Sequence, residues 1–248
     1  MTALPLPTGT ATTSAPRRRV VDVPTRVFHA LFALSFFGAY LTAEGERWRA
    51  MHVTLGYTLA GLLAFRVLYG LFGPRHARLG ALLRKLAGAP AWGRSTLHAL
   101  KAGQWQALLA RPGQHLLLAA SVAALLVLAG PLALSGYATY NDWGDAFEEV
   151  HEFFGNAMLA VVLGHLALVA AWSLSRRQNL AAPMLSGTVA GPGPDVVKKP
   201  HRSLALLLVL AVLAFGVWRW QLAPQGLVPA WGAAGAAHTQ PGGDDDDD

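Results

Sequence analysis

The chain has no cysteine in its 248 residues. That excludes disulfides, thiolate metal sites, iron–sulfur clusters and a covalently attached c-type haem, which needs Cys-x-x-Cys-His. Charge is also scarce, with 14% charged residues against roughly 25% in a soluble domain. No carboxylate lies in the middle of a long apolar run, which counts against a conduit for divalent cations. What is present is 53% hydrophobic residues and a mean hydropathy of +0.36. That is the composition of an integral membrane protein, in which histidine is the main metal ligand available.

Five apolar segments stand out, at 27–43, 52–72, 115–140, 152–174 and 203–220. Each is near the roughly 20 residues that cross a hydrocarbon core. When the chain is threaded from an inside N-terminus, every Lys and Arg except Arg47, Arg49 and Arg219 falls on one side. Every Asp and Glu except Asp22 and Asp195 falls on the other. The positive-inside rule then predicts a cytoplasmic N-terminus and a periplasmic C-terminus in a bacterial inner membrane. The net charge of +6 is thus a topology signal, and nucleic acid is not expected as a partner.

The expected organisation follows the composition. Residues 1–20 read as a flexible cytoplasmic tail, and no cleavage site for a signal peptide is evident. Residues 21–184 form a four-helix domain, and 185–201 a Gly/Pro linker. A fifth transmembrane helix covers 202–220, and 221–248 is an acidic periplasmic tail ending in Asp244 to Asp248.

The fourth segment, "EEVHEFFGNAMLAVVLGHLALVAAW", carries His151 and His165. A 14-residue step on a helix falls about 40° short of four turns and rises ~21 Å. Both imidazoles therefore share one face, near opposite ends of the core. The alternating direction of the spans puts His29 with His165 at the inner level. It puts His52 with His151 at the outer level. Two depth-matched pairs are the pattern expected of two bis-histidine haems, with axial imidazoles drawn from facing helices. Gly56 and Gly155 each follow a histidine by four residues and would leave room for a porphyrin edge. Arg66 and Arg26 lie at the inner level, where they could pair with propionates. Arg47, Trp48 and Arg49 could do so outside. His76 and His98 read as solvated loop residues and His115 as interfacial or lining an inner quinone pocket. His201 and His238 are assigned no haem.

The stretch "VPTRVFHALFALSFFGAYLTAEGERWRAMHVTLGYTLAGLLAFRVLYGLFGPRHAR" resembles the opening of the bacterial cytochrome b561 family, which includes the cytochrome b subunits of nickel–iron hydrogenases. "FEEVHEFFGNAMLAVVLGHLALV" and "SRRQNLAAPMLSG" match the same family's fourth span and exit. The resemblance covers about residues 20–188. It implies a four-helix core with two non-covalent b-type haems on His29, His52, His151 and His165, exchanging electrons with a quinone pool or a redox partner. Many relatives carry Gly-His-Asn-Pro before the third span, whereas this chain has "RPGQHLLL", which echoes it only through Pro112, Gly113 and His115.

The expectation is therefore an all-α integral membrane protein: a four-helix bundle binding two b haems, plus a fifth C-terminal helix, serving respiratory electron transport. Bis-histidine iron has no open position, so the haems carry electrons rather than activate oxygen. An electron-transfer subunit fits better than a self-contained enzyme. The acidic "NDWGDAFEE" and the Asp tail suit a basic periplasmic partner, such as a c-type cytochrome or a dehydrogenase subunit. Two alternatives stay open: a stand-alone oxidoreductase of superoxide:quinone type, and a histidine-lined divalent-metal transporter.

Overall fold

The computed structural model describes residues 16–104, 111–223 and 227. In chain order the elements are β1 (Arg17–Arg19), α1 (Val23–Leu41), a 3-10 turn (Glu46–Trp48), α2 (Arg49–Phe72), α3 (Leu79–Leu86) and α4 (Ala89–Lys101). They continue with α5 (Arg111–Tyr140), α6 (Ala146–Arg176), α7 (Ala182–Ser186), β2 (Thr188–Ala190) and α8 (Arg202–Leu222). Among the described residues the fold is helical apart from one two-stranded ribbon.

Among the described residues, four helices are long and apolar enough to cross a membrane: Glu46–Phe72, Gly113–Tyr140, Ala146–Arg176 and Arg202–Leu222. The first expected span, α1, is not among them. Pro24, Arg26 and His29 lie in its first two turns and lower its hydropathy. It is nonetheless a full 19-residue helix in the same bundle. Asp22 caps it by accepting from the Thr25 N–H at 3.0 Å, with Pro24 in the first turn. α6 begins earlier than its apolar run and places Glu148 and Glu149 in its first turn. Acids there complement the positive end of the helix dipole.

α1 packs along α2 and α5 along α6, while α2 and α5 join the two hairpins. The α5–α6 connection is tight. Asp142 and Gly144 take positive φ, 53° and 140°, and Gly144 is a residue that pays little for it. Gly38 lets α1 approach α2, since a Cβ there would lie 2.8 Å from Leu55. α6 faces α1 and α2 across a wider separation, bridged by side chains.

One core, at mid-depth, gathers Phe36, Leu59, Ala129, Leu132 and Met158 from all four helices. A second, formed by Phe28, Leu62 and Leu208, holds α8 against α1 and α2. At the far end of α8, Arg219 Nε donates to Thr54 Oγ1 at 3.2 Å, and its guanidinium lies over the Tyr57 ring. Large apolar side chains such as Leu34, Val127, Leu134, Leu163, Leu206 and Leu210 point outward. That is the surface a lipid-embedded bundle presents.

The loops are more ordered than the sequence reading expected. The 73–114 loop carries two helices, with α3 packed on α2 and α5. Arg17–Arg19 pair antiparallel with Thr188–Ala190. Asp195 clamps the ribbon, accepting from the Arg19 N–H at 2.6 Å and Nε at 3.1 Å. Those hydrogen bonds, led by the one from the Arg19 backbone, hold the Asp195 carboxyl below its ordinary value.

Candidate cofactor site

At the level expected to be outer, α2 and α6 bring His52 and His151 together. Their ring centroids are 5.9 Å apart and the planes are perpendicular. A metal–imidazole bond is about 2.0 Å, so two imidazoles on opposite sides of one metal ion sit with centroids roughly 6 Å apart. The pair as it stands is sized for one shared metal.

The remaining ring nitrogens are already occupied. His52 Nδ1 donates to the Ala39 carbonyl at 2.8 Å. Ala39 lies in the last turn of α1, and its carbonyl also accepts from the Thr42 N–H and Oγ1, each at 3.2 Å. His151 Nδ1 donates to the Leu132 carbonyl at 3.1 Å. A carbonyl only accepts, so both histidines carry their proton on Nδ1. Nε2 is left as a free lone pair, the arrangement a metal ligand needs.

At the level expected to be inner, His29 lies on α1 and His165 on α6. His165 Nδ1 is 3.0 Å from Ser121 Oγ on α5. His29 is exposed on the bundle surface, and among the described residues it makes no hydrogen bond. An imidazole left so in a bilayer is costly, which favours a ligand over it. No group of three or more His, Asp or Glu gathers as a metal cluster among the described residues.

The neighbouring glycines separate into two kinds. A Cβ at Gly56 would meet nothing within 4 Å, and one at Gly155 only Leu132 at 4.0 Å. Neither is required by protein packing, so both leave surface free for a flat group. Gly136, on α5, is different. A Cβ there would lie 2.7 Å from His151 Cε1, so its lack of a side chain makes room for the imidazole.

The two arginines bind protein carbonyls. Arg26 Nε donates to Met184 O at 3.2 Å, and its Nη2 donates to Leu185 O. Arg66 Nη1 donates to Ala77 O at 3.0 Å. Arg66 also borders a buried polar cluster absent from the sequence reading. Asp22 is 1% exposed, and its Oδ2 accepts from Tyr69 OH and from His76 Nε2 at 2.9 Å. His76, expected to be solvated, instead pins the inner loop to the start of α1. Burial alone would raise the Asp22 carboxyl, but the hydrogen bonds from Thr25, Tyr69 and His76 outweigh it and pull the value down. His98 and His115 are exposed. Arg49 pairs with Glu46 at 3.6 Å on the surface. His238 and Asp244 to Asp248 lie outside the described residues.

Sequence reasoning also missed Ser121, Ser135 and Gly136. A signal was there: Leu118-Ala-Ala-Ser121 and Leu132-Ala-Leu-Ser135 repeat at the same 14-residue spacing as the two α6 histidines.

A membrane bundle with facing imidazoles between its helices is of the class that holds a flat metal cofactor in its interior. Comparison with known families is specific on this point: the family described as prokaryotic cytochrome b561 matches residues 20–187. The chain belongs to that family. No curated protein and no solved structure matches it. Family members bind b-type haem, and the chain is accordingly a bacterial membrane b-type cytochrome of electron transfer.

Proposed function

We propose that this cytochrome carries electrons across the bacterial inner membrane through two b haems, linking a quinone pool to a redox partner in a respiratory chain. The outer haem is held by His52 and His151, and the inner one by His29 and His165. The observation that carries this reading is the His52–His151 pair, at metal-sharing separation with each Nδ1 committed to a carbonyl. When bound, the haems supply one-electron chemistry without an open coordination site.

The chain's own residues do the rest. α6 sets the two levels ~21 Å apart along its axis. Phe36, Leu59 and Met158 pack between those levels, excluding water and providing a dense medium for tunnelling. Gly56 and Gly155 leave surface for porphyrin edges. Arg26 and Arg66 use only some of their guanidinium N–H groups on carbonyls and keep donors for the inner propionates. Residues 21–184 are the haem domain and α8 is a fifth span clamped on its α1–α2 side. The N-terminus is cytoplasmic and the C-terminus periplasmic, and the acidic outer face receives a basic partner. The test is replacement of one histidine at a time. His52→Ala or His151→Ala removes the outer haem and leaves the inner, whereas His29→Ala or His165→Ala does the reverse. Loss of both haems, or of neither, from every single variant in a folded protein contradicts the pairing.

A further inference from the structure

The two α6 histidines are supported by α5 in different ways, and the difference makes Ser121 a positioning residue. α5 and α6 are antiparallel partners along their length. Stepping 14 residues along either helix moves between the same two levels, from Ser121 to Ser135 on α5 and from His165 to His151 on α6.

At the outer level the backbone does the work. His151 Nδ1 donates to the Leu132 carbonyl at 3.1 Å, and Ser135 Oγ is a more distant neighbour at 3.4 Å. At the inner level, among the described residues, the hydrogen-bonding partner of His165 Nδ1 is the Ser121 hydroxyl, at 3.0 Å. A hydroxyl has one proton and two lone pairs. The Ser121 proton is directed to the Leu118 carbonyl at 2.9 Å, so its lone pair faces His165. His165 Nδ1 must therefore donate, and Nε2 is left unprotonated for iron. With the opposite hydroxyl orientation, the proton would sit on Nε2 and block ligation.

We propose that Ser121 sets the tautomer and basicity of the inner histidine, and hence the redox potential of the inner haem. The outer ligand is set by main chain and is indifferent to Ser135. The inference rests on the di-haem reading above. An Nδ1–H donated to an acceptor makes the imidazole a stronger donor and favours the oxidised metal. Removing the acceptor raises the midpoint potential.

The test uses the full-length, haem-loaded protein as wild type, Ser121→Ala, Ser121→Thr and Ser135→Ala. The readouts are redox titration of the visible α-band and the low-spin EPR g-values. Ser121→Ala is expected to shift one centre to higher potential with altered g-values, or to deplete that centre alone. Ser121→Thr, which keeps the hydroxyl, restores it, and Ser135→Ala leaves both centres at wild-type values. The proposal is overturned if Ser121→Ala leaves both centres unchanged, if Ser135→Ala moves its centre as far, or if Ser121→Thr fails to rescue. A wild-type protein without two low-spin centres fails the di-haem reading itself. Two wild-type centres indifferent to Ser121→Ala fail the Ser121 assignment alone.

Discussion

The space beside Gly136 is taken by the His151 imidazole, which leaves no room for a side chain at 136. A β-carbon at 136 would sit 2.7 Å from His151 Cε1, so Gly136→Val forces the imidazole off its carbonyl. The expected result is loss of the outer haem with helix content unchanged, read by visible absorbance beside far-UV circular dichroism. Gly56→Leu makes the complementary case. The site is open in the protein itself, so a reduced haem content without loss of apoprotein stability would locate the porphyrin edge there. Asp22 tests a different residue-scale claim. Its folded-state pKa is depressed, so it adds stability above the unfolded carboxylate value of roughly 3.9. That contribution disappears as pH falls through the folded value. Asp22→Asn should cost about 1–3 kcal/mol at neutral pH and flatten the acid limb of the melting curve. An unchanged acid limb would show that the buried carboxylate carries no such linkage.

At the scale of elements, what the sequence revealed was what periodicity and depth encode. The spacing of His151 and His165 on one helix implied a shared face at two levels, and α6 has that geometry. Depth sorting also put His52 and His151 at one level, and their ring centroids lie 5.9 Å apart. The contacts it could not reveal are non-local. β1 meets β2 across about 170 residues, and no short-range pattern announces that pairing. His76 reaches Asp22 from 54 residues away, so a histidine in a basic loop looked solvated. α1 illustrates a third limit, because its inner end spends hydropathy on Pro24, Arg26 and His29. α8 yields a prediction at this scale. It touches α1 and α2 through Leu208 and α2 through Arg219, but supplies no histidine to either level. Leu208→Ala should therefore lower stability by about 2 kcal/mol, measured by thermal melting in detergent, without altering the haem spectrum. A changed spectrum would mean that α8 reaches the cofactor site.

At the scale of the whole molecule, the asymmetry of charge and the two histidine levels describe one device. The basic inner face, with α3, α4 and the β1–β2 ribbon, fits a cytoplasmic surface. The acids of the α5–α6 turn and of early α6 fit an outer docking face. A C-terminal alkaline phosphatase fusion should be active and a C-terminal green fluorescent protein fusion dark, and the reverse would invert the topology. Electron transfer to a basic partner should slow steeply as salt rises, since complementary charge acts mainly on the encounter rate. The most direct test of the central claim is haem stoichiometry: pyridine haemochrome per chain on the purified protein, with a reduced-minus-oxidised spectrum. Low-spin b-type bands at about two haems per chain are the predicted result. One haem per chain, or none after expression with ample haem, would contradict the paired-histidine account.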